Sequence, residues 1–387
     1  MRIFHCDHCD NLVFFENHSC VNCSRQLAFL PDIAEVGSLD PAAENTWVSP
    51  LEGASTSGYR LCANYTAHNV CNWAIPADDP HTLCSSCRLT RVIPDLSVPG
   101  HAEAWYKLEV AKRRLVYSLL HLRLPVANKT DDPQGGLAFE FKAEATQWNE
   151  APVYTGHANG VITINLAEAD DAERERRRNL LHEPYRTPLG HVRHEVGHYY
   201  WERLIAGTIR LGAFRAQFGD ERADYGAALQ RHYQSGPPAD WQTHFVTAYA
   251  TAHPWEDWAE TWAHYLHLTD TLETAAACGV SIRPRRRDEP ALARVPESAG
   301  SPEAAFDRLM TSWFPLTYVL NNLNRGLGVP DAYPFVLSKS AIEKLRFVHD
   351  VIAETAGAAQ PGAAAPRAAA AAASLPPLPT YPPALRT

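Results

Sequence analysis

No run of eighteen apolar residues occurs in the 387-residue chain, which argues against a conventional membrane-spanning helix. The opening "MRIFHCDHCD" lacks the basic stretch and apolar core of a secretion signal and leads straight into paired cysteines, so a cytoplasmic protein is expected. A surplus of basic residues is missing too: 35 Lys and Arg face 44 Asp and Glu, a formal net charge of -9. Nucleic-acid binders usually carry a basic face, and this balance argues against one. The shortage is sharpest at the start, where residues 1–97 hold five Arg and no Lys against eleven Asp and Glu. That stretch reads as structural or protein-binding.

What the chain does have is a 45% hydrophobic and 10% aromatic composition, enough for a sizeable core spread over two or three domains. Eight of its nine cysteines fall into two groups of four, leaving only Cys278. Cys6, Cys9, Cys20 and Cys23 give C-x2-C-x10-C-x2-C, in which each tight turn presents two thiolates and the intervening hairpin brings the pairs together around a tetrahedral ion. Cys62, Cys71, Cys84 and Cys87 are spaced C-x8-C-x12-C-x2-C, with His68 and His81 as alternative ligands. Zinc is the expected metal in both, although S4 ligation also suits iron.

These units are bounded at residues 1–31 and 52–97, with a Pro, Ala and Ser-rich connector between them. From His101 to Leu124, Trp105, Leu108, Leu115, Leu119 and Leu122 recur at helical spacing, interrupted by Lys112, Arg113 and Arg114. Asn159-Gly160 marks a hairpin, with a strand over Val161 to Leu166. Thr187 caps a helix that has Pro188 at its first position. The later segments are mostly helical, and Ser340 with Glu343 forms a capping box for a last helix ending near Ala353. Residues 283–300 read as a charged loop inserted in a domain of 98–355, and 356–387 as a disordered Ala and Pro-rich tail.

The helix after Thr187 carries "HVRHEVGHYYW". His194 and His198, four apart, project from one helical face and can grip one zinc ion, while Glu195 sits where it can take a proton from water. Gly197 allows close approach inside the helix. A third ligand is needed, and three places offer one. His191 is one turn earlier, but three ligands from three turns of one helix converge poorly on a tetrahedral ion, so it reads as a polar residue at the cleft rim. "GDERADY" offers Asp220, Glu221 and Asp224. "HPWEDWAETWAHYLH" offers Glu256 and Glu260, one turn apart among tryptophans, where one carboxylate can bind zinc and the other can accept a hydrogen bond from a ligand histidine.

"CDHCDNLVFFENHSCVNC", "YRLCANYTAHNVCNWAIPADDPHTLCSSCRLTRVIPDLS", "GHANGVITINLAEADDAERE", "PYRTPLGHVRHEVGHYYW", "FGDERADY" and "AYATAHPWEDWAETWAHYLH" occur in that order. They resemble the zinc-binding metallopeptidases with an N-terminal zinc ribbon found in bacterial genomes, over about residues 1 to 350. A more distant resemblance links "EDWAE" to gluzincins whose third ligand opens an E-x-x-A-E pattern, as in the metalloprotease lobe of anthrax lethal factor. That likeness implies Glu256 as the third ligand, Glu260 as the hydrogen-bond partner behind it, and Tyr249, seven residues before the ligand, as the oxyanion stabiliser. It leaves Asp220, Glu221 and Asp224 as helix-terminus or salt-bridge residues.

The resemblances imply an α+β fold: a mostly helical zincin-like domain with a small sheet and an edge strand, preceded by two zinc-ribbon units. They imply one catalytic and two structural zinc ions, and peptide-bond hydrolysis through a zinc-activated water with Glu195 as general base. The strand at Val161 to Leu166 would align a peptide or protein substrate by backbone hydrogen bonds. Two other readings are a zinc-ribbon adaptor with a non-catalytic peptidase-like domain, and a zinc amidohydrolase acting on a non-peptide amide.

Overall fold

The computed structural model describes residues 1–42, 45–144, 153–181, 187–282 and 302–358. The loop expected at 283–300 lies outside these residues, as does the expected tail from residue 359 onward.

The chain begins with short strands because its cysteine turns allow nothing longer. β1 (Phe4–His5) and β2 (Leu12–Val13) flank the first turn, in which the amides of Cys9 and Asp10 both donate to the carbonyl of Cys6. β3 (Leu27–Leu30) and β4 (Glu35–Ser38) form the next antiparallel pair. β5 (Asp40–Pro41), β6 (Trp47–Val48) and β7 (Tyr59–Leu61) follow, then the one-turn helix α1 (Ala63–Thr66) and β8 (Ala74–Pro76). Strands β5 to β8 make one antiparallel sheet. Much of the expected connector is thus in strands. The two cysteine units share one core: Phe29 lies 5.0 Å from Phe15 and 4.6 Å from Trp73 between ring centroids, and its amide donates to the carbonyl of Asn72.

β9 (Thr90–Val92) leaves the cysteine region, the amphipathic α2 (His101–His121) crosses over, and β10 (Ala138–Lys142) returns parallel to β9. β11 (Gly156–Ala158) and β12 (Val161–Asn165) form the expected hairpin, with Asn159 and Gly160 both at positive φ, 50° and 75°, as a two-residue turn of this hand requires. The sheet order is β11-β12-β10-β9. One expectation is corrected here: β12 is an interior strand, paired in parallel with β10 and antiparallel with β11, so it has no free edge to offer a substrate. The edge strands are β11 and β9. Lys112 and Arg113, which break the apolar stripe of α2, are buried; Lys112 pairs with Glu109 at 2.8 Å, and Arg113 donates to the carbonyl of Val70. Burial of charge is tolerated because each has a partner.

The rest is helical: α3 (Asp171–Leu181), α4 (Pro188–Leu204), α5 (Leu211–Phe218), α6 (Tyr225–Ser235), α7 (Pro254–Ala277), α8 (Pro302–Gly326) and α9 (Lys339–Ala358). The segment from Trp241 to Thr251 is not continuous helix but two single turns, and His253-Pro254 then forces an extended residue before α7 begins. The last helix is capped by Ser338, whose hydroxyl accepts from Ala341 N at 3.2 Å, rather than by Ser340, and runs to Ala358. α4 and α7 cross at Gly197, where a Cβ would stand 3.0 Å from Cα of Ala259. Trp258 fixes this crossing by donating its indole N–H to the carbonyl of Gly197 at 2.9 Å, and Tyr200 stacks on Trp262 at 4.9 Å. Among the described residues no helix is long and apolar enough to cross a membrane.

Candidate metal centres

The α4–α7 crossing sets up the first centre. Thr187 accepts a hydrogen bond from Gly190 N at 3.0 Å and fixes the start of α4, so that His194 and His198 emerge on one buried face. Their rings meet edge to face, 4.9 Å between centroids, with the two Nε2 atoms 3.2 Å apart. α7 starts at a cap built by His253, whose Nδ1 accepts from Trp255 N at 3.1 Å, and this puts Glu256 in the first turn, facing α4. Glu256 Oε2 lies 3.0 Å from Nε2 of His194, and Oε1 lies 3.6 Å from Nε2 of His198.

One ligand atom from each of the three residues lies within 4.8 Å of the others, the spacing a single ion needs. The donor set also fits zinc chemically. Oε2 of Glu256 is buried, and it faces the His194 nitrogen without the alignment of a hydrogen bond. With both imidazoles neutral, the three ligand atoms turn lone pairs toward one point, a repulsion that a cation relieves.

The groups behind these ligands orient them. Glu260 holds Nδ1 of His194 at 2.6 Å and receives the Thr247 hydroxyl at 2.7 Å on its other oxygen, which turns Nε2 of His194 toward Glu256. Tyr225 donates to Glu256 Oε1 at 2.6 Å, and Trp255 covers His198 with 4.1 Å between ring centroids. Burial opposes charge on His194, but Glu256 and Glu260 beside it hold its pKa well above the ordinary value. Burial likewise opposes charge on Glu256, yet His198 and His194 hold its carboxyl well below the usual range. Lys344 of α9 braces the frame, reaching Asp257 at 2.6 Å and the carbonyl of His244 at 2.9 Å.

Tyr249 stands beside His194, 5.9 Å between ring centroids. Asp220 pairs with Arg222, Glu221 with Arg215, and Asp224 caps α6, so this cluster stays outside the ligand set. His191 is not merely a polar residue at the cleft rim: its Nε2 is 3.4 Å from Oε1 of Glu195 and its Nδ1 is 3.6 Å from Oε2 of Glu168. Sequence reasoning missed Tyr225, Thr247 and Glu168 altogether. Tyr225 and Glu168 at least sit in quoted blocks, Tyr225 directly after the helix cap Asp224; no local pattern marks Thr247.

The cysteines make two further groups. Cys6, Cys9, Cys20 and Cys23 converge, as do Cys62, Cys71, Cys84 and Cys87, with all nine cysteines free of disulfides. Sulfur separations of 3.5 and 3.7 Å in the first group, and 3.7 Å between Cys71 and Cys84 in the second, match the edge of about 3.8 Å of a tetrahedron with metal–sulfur bonds of about 2.3 Å. His68 packs on Trp105, and His81 joins Asp79 and Arg88, so neither is drawn into the second group.

Residues 101–351 match the family model described as "Putative zinc-binding metallo-peptidase", and residues 3–98 match a zinc-ribbon domain. Uncharacterised proteins of Mycobacterium tuberculosis and Mycobacterium bovis are each 45% identical over 358 residues, covering 92% of this chain and 96% of theirs. No solved structure matches the chain. With a zinc-compatible cluster inside the larger match and thiol clusters inside the smaller, the chain belongs to this zinc-binding metallopeptidase family and carries a zinc-ribbon domain in front.

Proposed function

We propose that this chain is a zinc-dependent peptidase in which His194, His198 and Glu256 hold the catalytic ion, while the two cysteine groups hold one structural zinc each. The observation that carries this reading is the convergence of the three side chains from two crossing helices, with Glu195 on the same face of α4. A zinc ion held there supplies Lewis acidity, which lowers the pKa of water toward roughly 7 and polarises a peptide carbonyl.

The chain's own groups do the rest. Glu195 is buried, which by itself would favour its protonated form, but His191, His194 and His198 keep its carboxyl below the ordinary range and ready to accept a proton. It takes that proton from the attacking water and returns it to the leaving amine. Tyr249 offers a phenol to the carbonyl oxygen as negative charge develops. Glu260 keeps His194 in the tautomer that presents Nε2. The outer edge of β11, unpaired among the described strands, runs beside the centre: His157 on this strand lies 6.2 Å from His198 between ring centroids. An antiparallel edge suits an extended peptide better than a compact amide.

Glu195→Gln tests the reading. The variant should keep its zinc content and fold while losing at least about 10³-fold in cleavage of a peptide library. Cleavage at the wild-type rate would sink the assignment.

A further inference from the structure

The general base has neighbours that its proposed role does not yet use. β12 ends at Asn165, whose side chain accepts from Ala167 N at 2.9 Å and turns the chain into a single 3₁₀ turn, Leu166–Ala169. Arg174 holds that turn through the carbonyl of Glu168 at 2.9 Å. The turn delivers Glu168, with a side chain only 2% exposed, to His191 on α4. His191 and Glu195 are four apart on that helix and so face each other. The result is a row of carboxylate, imidazole and carboxylate, 3.6 Å and 3.4 Å across its two gaps.

We propose that Glu168 and His191 are positioning residues for Glu195: Glu168 orients the imidazole, and the imidazole occupies one oxygen of the base. This rests on the peptidase reading for its catalytic meaning. A carboxylate can rotate, and a base that swings between acceptors presents the wrong oxygen part of the time. With Oε1 of Glu195 facing His191 Nε2, Oε2 is left for the water proton. Glu168 has a reason to be buried, because the His191 imidazole 3.6 Å away could turn an N–H toward it and offset the cost of taking its charge out of water. Gaps slightly beyond ordinary hydrogen-bond length are usual where a catalytic contact tightens only with substrate in place.

The experiment uses the zinc-loaded full chain. In protein labelled with ¹⁵N-histidine, the His191 imidazole pKa should fall by about one unit in Glu168→Gln and again in Glu195→Gln, since each removes an adjacent negative charge. With the peptide library, His191→Phe should lose about 10²-fold in kcat with KM and zinc content unchanged. His191→Gln, which keeps an N–H toward Glu195, should recover most of that loss. An unmoved imidazole pKa in either carboxylate variant overturns the pairing. Wild-type kcat in His191→Phe overturns the positioning role. Absence of hydrolysis in the wild type itself would sink the peptidase reading and the positioning role with it, while the titration still decides whether the three groups are paired.

Discussion

The thiol clusters and the histidine–glutamate cluster sit in one chain but are built in opposite ways. Each thiol cluster draws its ligands from tight turns between strands of two to four residues. The other cluster draws on α4 and α7, long helices whose crossing is already fixed by Trp258, Tyr200 and Trp262. On the proposed ligation, an ion would tie separate turns together in the first case, whereas in the second the fold would hold the ion. The chemistry follows: four thiolates close a tetrahedral ion, whereas two imidazoles and one carboxylate leave a position open.

The largest effect that would sharpen this contrast comes from Cys71→Ser with Cys84→Ser. Structural zinc contributes on the order of 10–16 kcal/mol in small domains, so the double variant should lose one zinc and the folded state of the cysteine region. Limited proteolysis and metal analysis would show both. Next comes His194→Ala with His198→Ala, which should abolish hydrolysis and reduce bound zinc from three ions to two, while far-UV circular dichroism stays at the wild-type level. Collapse of the helical region in this variant would break the contrast.

A pH effect of intermediate size belongs to the helical region. Burial lowers His157 and His267 to about 3 and His264 to about 4, from 6.5. Depressed values mean that the unfolded chain binds protons first. The stability these residues contribute is present above pH 6.5 and is lost as the pH falls toward 3. Urea unfolding of the zinc-loaded protein between pH 7.5 and roughly 5 should show a steady fall, less steep in His267→Phe. The smallest effect is Gly197→Ala. The added methyl meets the backbone of Ala259, so the helices must part slightly, for a net loss of about 1–2 kcal/mol by the same unfolding assay.

The sequence made the local parts of this architecture legible. Cysteine spacing, the capped helix at Thr187, the Asn159-Gly160 turn and the i, i+4 pairing of His194 with His198 are all properties of neighbouring residues. Glu256 was one of several candidates by residue type and was singled out only through a family likeness, because α4 and α7 meet through packing that no spacing records. The same limit hid the rest. Whether β12 is an edge or an interior strand depends on β10, some twenty residues earlier, and Tyr225 and Glu168 meet the site only after three separate elements have docked. His191 was set aside for a sound reason, poor geometry as a ligand, yet a residue unfit to bind metal is still free to touch the base.

β9 begins three residues after Cys87 and pairs with β10, so the last strand of the cysteine region completes the sheet of the helical one. A newly made chain short of zinc would fail to place β9 and would leave one side of β10 uncovered. Uncovered strand edges recruit other chains. Zinc starvation would then reach this protein first as a loss of solubility during synthesis, before any question of an idle active site arises.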